Sequence, residues 1–333
     1  MGTEITRKLA EVVRIKEVLP HENADALEIV KVRGWNVVTK LGEFKPGDFA
    51  VYFELDSWVP HELAPFLSKG KEPREYNGVL GERLRTMKLR GVVSQGLVLP
   101  LNSCFHRDYP WKEGADVTEK LGIQKWEAPI PAQLQGKVRG NFPTSLIPKT
   151  DQDRAQNIFE DLPKDHLWEI TVKLDGSSMT VFRLEDQLRI CSRNLELKLE
   201  DEDNTFVKVA RTLDNKMVEG YAFQGELIGE GIQKNRENLK GHHFYVYDIY
   251  DITKGSYLSG EARREICDHL GLNHVPVLYT SAHLPDTLEE VLKLADGASL
   301  NSNLREGIVY KSVMDPSLSF KAISNKWLIK TGD

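Results

Sequence analysis

The stretch Glu169-Ile-Thr-Val-Lys173-Leu-Asp175-Gly176-Ser177-Ser178 reads as a strand of alternating character that delivers a lysine at its end. A carboxylate follows two residues later, and then a glycine that lets the chain turn sharply. An amine must be neutral to act as a nucleophile, and a free lysine has a pKa of about 10.4. Burial or cationic neighbours lower that value, and lysines so tuned form covalent adducts. Read alone, the same residues also describe an ordinary strand-end lysine followed by a turn aspartate.

Further stretches on either side add to it. Gly225-Glu226-Leu-Ile-Gly229-Glu230 places a carboxylate at a strand position beside glycines. Arg305-Glu306-Gly307-Ile-Val-Tyr-Lys311 supplies another carboxylate and a lysine, and Ser319-Phe320-Lys321 ends a short strand. The order along the chain is a lysine, an arginine, a glutamate, an aromatic-Asp pair, a Glu-Gly pair and a lysine.

In that order the chain resembles the covalent nucleotidyltransferases, the superfamily of polynucleotide ligases and RNA capping enzymes. Lys173-Leu-Asp-Gly matches the nucleophile motif, and Ser192-Arg193-Asn194 matches the arginine motif after it. Gly225-Glu226-Leu and Phe244-Tyr-Val-Tyr247-Asp248-Ile match the next two, and Glu306-Gly-Ile-Val-Tyr-Lys and Phe320-Lys321 the last two. Gly225 to Lys234 and Lys149-Thr-Asp-Gln-Asp-Arg154 are similar to RNA ligases more than to DNA ligases. Ser178 and Asp175 depart from the KxHGxN pattern of the second RNA ligase family, so the role of that asparagine does not transfer.

The resemblance implies an ATP-dependent RNA ligase that joins 3′-hydroxyl and 5′-phosphate ends through lysyl-AMP and RNA-adenylate. A nicked duplex is one arrangement of such ends. It implies Lys173 as the nucleophile, with Asp175, Glu226 and Glu306 around a divalent cation, Mg2+ or Mn2+. Lys321 would hold an α-phosphate oxygen, Lys311 would do the same or contact nucleic acid, and Arg154 would contact ATP. Tyr247 is the candidate to stack on adenine, Glu169 to select it, and Arg193 to contact the sugar or the RNA 5′-phosphate. A DNA ligase, a capping guanylyltransferase and an inactive RNA- or tRNA-binding protein are the alternatives.

Upstream, Ala26–Val32, Trp35–Leu41 and Phe49–Glu54 are β-branched or aromatic runs divided by turn signals such as Lys45-Pro46-Gly47-Asp48. They predict a small closed barrel. Pro20-His21-Glu-Asn-Ala24-Asp25-Ala-Leu27 and Leu89-Arg90-Gly91-Val-Val-Ser94-Gln95-Gly96 resemble OB-type tRNA-binding modules. Ligases and capping enzymes with a barrel after the core have no counterpart here, since only Ala322 to Asp333 follow Lys321. A barrel placed first resembles the fifth family of ATP-dependent RNA ligases.

The expected architecture is an N-terminal all-β OB-like barrel over 1–125 and a linker over 126–148, rich in proline. An α+β, ATP-grasp-like nucleotidyltransferase core of antiparallel sheets and flanking helices follows over 149–333. Arg83, Arg85, Lys88 and Arg90 form a basic cluster for RNA in the barrel, with Trp35 or Phe44 to stack on a base. Thr287 with Glu290 predicts a capped helix, and Ser259 a second one ending at Gly271.

Composition agrees. The chain has 333 residues, 40% hydrophobic and 28% charged, with a mean hydropathy of -0.40, as expected of a soluble two-domain chain. Residues 1–150 hold 22 Lys and Arg against 19 Asp and Glu, whereas the remainder holds 22 against 31. A basic half and an acidic half suit an anionic partner and metal-assisted chemistry respectively. Cys104, Cys191 and Cys267 lie far apart, which excludes a disulfide framework. With no signal sequence and no membrane span, a cytoplasmic or nuclear location is expected, with no membrane and no obligate protein partner.

Overall fold

A computed structural model describes residues 7–105, 112–130 and 132–332. The chain divides into two compact units, Met1–Ala128 with Leu328–Asp333, and Pro129–Trp327.

The regular structure of the first unit is mostly strand. Phe49–Phe53 lies between Ala10–Arg14 and Leu97–Pro100, and Leu27–Val32 lies between Glu17–Pro20 and Trp35–Lys40, each antiparallel. A third sheet runs Gln124–Lys125, Ser57–Pro60, Val79–Arg83, Arg74–Tyr76. Trp35–Lys40 buries every second residue, and its Trp35 joins Val30, Val37, Phe44 and Tyr52 in the core. Trp35 is 0% exposed and Phe44 is 4% exposed, so neither can stack on a base. Indole and phenyl rings at core-facing positions contribute most by leaving water, and the sheet here uses them that way.

The second unit carries two sheets. The larger runs Val138–Asn141, Leu195–Leu197, Gln187–Ser192, Ser177–Leu184, Tyr221–Gly229, His242–Asp251, Ser256–Tyr257. Beneath it pack Phe206, Val207 and Ala210 of the Thr205–Leu213 helix and Cys267 of the Gly260–Leu270 helix. The smaller runs Asp153–Arg154, Ser319–Ile323, Gly307–Ser312, Leu167–Lys173, Val277–His283, with Trp168, Ile170, Tyr310 and Phe320 in its core. The rings of Tyr310 and Phe320 stack with centroids 4.6 Å apart.

Thr287 and Glu290 form the reciprocal capping box ahead of Leu288–Leu294. Ser259 accepts from the Ala262 amide, and Gly271 closes that helix at φ 60°. Both caps were legible because capping is a local contract between residues three apart.

The stretch 126–148 is not a bare linker. Val138–Asn141 pairs with Leu195–Leu197 at the sheet edge, and Phe142 and Ile147 are buried with Phe182, Cys191 and Ala222. Prolines flank this edge strand rather than excluding it.

The nucleophile stretch is a chain turn that passes from one sheet of this unit directly into the other, as Val275-Pro276 does in the opposite direction between Asn273–His274 and Val277–His283. Leu167–Lys173 ends in the smaller sheet, Leu174-Asp175-Gly176 turns, and Ser177–Leu184 begins in the larger one. A Cβ on Gly176 would collide with the Leu227 carbonyl oxygen and the Ile228 side chain, so the turn is packed against the Tyr221–Gly229 strand.

Candidate active site

The turn opens into a cleft of about 260 Å3 lined entirely by the second unit. Lys173, Asp175, Glu226, Glu306, Arg193, Tyr247, Glu169, Lys311 and Lys321 all line it. Arg154 does not, although it lies in register with Lys321 on the neighbouring strand.

Lys173 faces Gly307 across the sheet, and its Nζ donates to Glu306 Oε2 at 2.7 Å. Burial pulls the pKa of this lysine down, but Glu306, Glu226 and Asp175 outweigh burial and hold it above its ordinary value. Its neighbours are carboxylates, and they hold it as an ammonium; the divalent cation expected beside them is the group that would favour the neutral amine.

Those carboxylates are themselves displaced. Burial, with Glu306 adding to it, pushes Asp175 up to about 6 against the opposing pull of Arg236 and Lys173. Burial pushes Glu226 up to about 8, opposed by Lys173 and reinforced by Glu306 and Asp175. Carboxylates crowded together and out of water hold their protons, and a divalent cation would relieve the crowding by favouring their charged forms, so that donor set suits one. Among the described residues no three His, Cys, Asp or Glu side chains converge at ligand spacing. The residues fit a cation that keeps waters and takes further ligands from phosphate, as Mg2+ does, rather than one caged by protein.

A prediction follows for the metal-free protein. Glu226 holds its proton from its ordinary 4.5 up to about 8 when folded. The folded chain thus carries more protons than the unfolded one in that window, and stability falls as pH rises through it. Thermal melts between pH 5 and pH 8 should show this fall, and Glu226→Gln should flatten it; an unchanged slope would remove Glu226 as its source.

Tyr247 owes its position to an irregularity. The Tyr221–Gly229 and His242–Asp251 strands shift register between Gln224–Asp248 and Gly225–Val246, so Tyr247 is the extra residue of a β-bulge. Bulges re-aim side chains beside active sites. Thr150 Oγ1 at 3.0 Å and Ser178 Oγ at 3.2 Å hydrogen-bond its hydroxyl and fix the ring as a wall of the cleft.

The inner end is a buried charge network. Arg263 is 0% exposed on the Gly260–Leu270 helix. It donates to Glu169 and, through Nε at 2.9 Å, to His274 Nε2, while Arg264 also binds Glu169. Lys311 binds Asp248; burial pulls it down to about 8, Asp248 opposing and Arg263 assisting. The carboxylate of Glu169 is thus held between two arginines, and the ammonium of Lys311 by a carboxylate. Arg193 reaches Asp151 at 2.7 Å and stays half-exposed.

Three contributors escaped the sequence reading. Arg236 binds Asp175 and lies 4.9 Å over the Trp327 ring. Gln233 Nε2 donates to Gly176 O at 3.1 Å. Arg263 anchors Glu169. None belongs to a motif with its partner, and only folding brings each pair together.

In the first unit the basic cluster splits. Arg83 is largely buried, donating to Asp56 Oδ1 at 2.6 Å and lying 3.7 Å over the Trp126 ring. Its side chain is 7% exposed, so the pair and the stack leave little of the guanidinium for phosphate to reach. Arg85 donates to Gly332 O at 3.2 Å. Lys88 is exposed on the Met87–Leu89 strand, and Arg90 sits in the two-residue turn with Gly91, both at positive φ. Arg83→Ala should lower stability by about 1–3 kcal/mol, read as a fall in the melting midpoint with RNA affinity retained; lost affinity at unchanged stability would return Arg83 to the RNA surface.

Among the described residues no helix is long and apolar enough to cross a membrane. A family model described as RNA ligase matches residues 166–327, and one described as an OB-fold domain matches 9–101. No curated protein matches the chain. Among solved structures, a lysine-to-alanine mutant of Naegleria gruberi RNA ligase with ATP and Mn is 45% identical. It has a TM-score of 0.90 and covers 96% of this chain and 98% of that one. The same organism's RNA ligase with PPi gives 45% and 0.88 over 98% and 99%. A lysine-to-methionine mutant with AMP and Mn gives 46% and 0.87 over 97% and 98%. With such identity across nearly the whole length of both chains, and an OB-fold domain ahead of the ligase core, this chain belongs to the RNA ligase family.

Proposed function

We propose that this chain is an ATP-dependent RNA ligase in which Lys173 is the nucleophile and RNA 5′-phosphate and 3′-hydroxyl ends are joined. One observation carries the site assignment: Lys173 Nζ stands 2.7 Å from Glu306 where the chain turns from one sheet into the other, in one cleft with Glu226, Asp175, Arg193 and Lys321.

Lys173 Nζ gives up a proton to solvent water and attacks the α-phosphorus of ATP. The bond to the β-phosphate oxygen breaks and pyrophosphate leaves. An oxygen of the RNA 5′-phosphate then attacks that phosphorus, breaking the phosphorus–nitrogen bond and restoring the lysine. Finally the 3′-hydroxyl attacks the activated 5′-phosphate, forming the phosphodiester and expelling AMP. Each step is in-line phosphoryl chemistry, in which the protein mainly positions groups and neutralises charge.

When bound, Mg2+ or Mn2+ supplies charge neutralisation at the α-phosphate. Asp175, Glu226 and Glu306 would hold it, directly or through water. Glu306 hydrogen-bonds the resting ammonium and orients it. Lys321 binds an α-phosphate oxygen, Arg193 the sugar or the RNA 5′-phosphate, and Tyr247 presents its ring to the base. Arg154 would serve ATP only from behind Lys321, and Lys311 supports the cleft through Asp248.

We assign the first unit to RNA flanking the break, through Arg85, Lys88 and Arg90. Arg85→Ala with Lys88→Ala should weaken sealing severalfold and make the salt dependence of RNA binding shallower, while lysyl-AMP forms at its full rate. Unaltered RNA affinity and salt slope would argue against this surface. The function itself is tested with ATP labelled at the α-phosphate and a divalent metal: label should remain on the denatured chain, and GTP should leave none.

A further inference from the structure

Two buried side-chain atoms on the lining of the cleft have no hydrogen bond among the described residues, Gln224 Oε1 and Arg263 Nη1. The second lies 3.6 Å from Asp248 Oδ1 and is balanced as an ion pair. The first has nothing. Gln224 is 1% exposed, and an acceptor left unpaired at that depth is costly and calls for a donor. Its amide cannot simply flip. Nε2 donates to the Pro148 carbonyl at 2.9 Å, and a carbonyl can only accept. The amide is therefore held with its oxygen as the free end.

The surroundings say what that oxygen meets. Gln224 pairs in register with Asp248 at the bulge that carries Tyr247, so an aromatic wall adjoins the free acceptor. The carboxylates at this inner end are engaged: Glu169 by Arg263 and Arg264, Asp248 by Lys311. Glu169, expected from the sequence to select the base, has its carboxylate committed to two arginines.

Resting on the ATP-dependent reading above, we propose that Gln224 is the specificity-determining residue for the base, its Oε1 accepting from the 6-amino group of adenine. A flat base against Tyr247 presents its edge to Gln224. A 6-amino purine offers a donor there. A 6-oxo purine offers a second acceptor, which meets Oε1 in repulsion, and a purine with hydrogen at C6 leaves Oε1 unpaired. Selection thus combines an attractive contact with a repulsive one.

The test compares ATP, ITP and purine riboside triphosphate as donors, reading kcat/KM for covalent nucleotide transfer to the chain by intact mass. The wild type should prefer ATP over the C6–H analogue by about tenfold or more, with ITP poorer still. Gln224→Met should bring ATP and the C6–H analogue within about threefold of each other, since a variant without the acceptor has nothing to lose. Gln224→Glu, whose protonated carboxyl donates to Pro148 and keeps an oxygen toward the base, should retain the ATP preference. Ratios between donors do not depend on the folded fraction.

An unchanged ratio in Gln224→Met would overturn the assignment while leaving the ligase reading intact. If Gln224→Met forms no adduct, the wild type decides alone: equal use of ATP and the C6–H analogue overturns it, and the expected order upholds it. A wild type that takes no nucleotide covalently overturns both readings together.

Discussion

Lys173→Met should join no RNA ends with ATP, a loss of about 10^4-fold or more, as when an enzyme's nucleophile is removed. Three other lysines line the cleft, Lys149, Lys311 and Lys321, and Lys149 Nζ donates to Asn194. Lys311 is fastened to Asp248 at the inner end of the cleft, and Lys321 lies on a separate strand, paired in register with Val309. The same variant should still seal RNA that already carries a 5′-adenylate, because the last step needs only the positioned ends and the cation. Methionine keeps the length of the lysine stem, so the fold should persist. Sealing with ATP by this variant would place the nucleophile elsewhere; failure on adenylated RNA would give Lys173 a part in the final step as well.

The largest effect on stability should come from Arg263→Met. Arg263 is fully buried and holds Glu169 directly, with Asp248 nearby. Removing one member of a buried ion network leaves its partners charged and out of water, at a cost of about 3–5 kcal/mol. The half-exposed Arg193–Asp151 pair, by contrast, should be worth about 1 kcal/mol or less. Denaturant melts of Arg263→Met, Arg193→Met and Arg263→Met with Glu169→Gln separate these. The double variant should recover part of the loss, because it relieves one of the stranded carboxylates. A small loss in Arg263→Met alone would mean that Arg264 suffices to neutralise Glu169.

Local signals survived from sequence to structure, and long-range ones did not. The strand ending at Lys173, the turn at Gly176 and the two capped helices depend on residues within a few positions of one another. The order of motifs placed Lys173, Glu226 and Glu306 in one cleft because each sits on, or next to, a strand of these two sheets. Arg83 was misread because its partner Asp56 is 27 positions away and Trp126 further still. Nothing local marks Trp35 as a core residue, since alternation along a strand does not tell which face meets the core, and Phe44 lies in the turn beyond that strand. Beyond Asp175, the carboxylates that hold the proton of Lys173 come from two distant segments, around Glu226 and Glu306, so their pull does not show in its local sequence. Gln224 gave no signal at all. Its meaning lies in an oxygen left over after Pro148 has claimed the nitrogen, which only coordinates can display.

The central claim is that Lys173 carries AMP on its way to an RNA end. Incubating the chain with ATP and a divalent metal, isolating the adduct and mapping it by peptide mass spectrometry tests this directly, followed by a chase with 5′-phosphorylated RNA. The account predicts AMP on the peptide containing Lys173 and its disappearance in the chase, with adenylated RNA and then joined RNA appearing. AMP on any other residue, or an adduct at Lys173 that RNA cannot discharge, would contradict it.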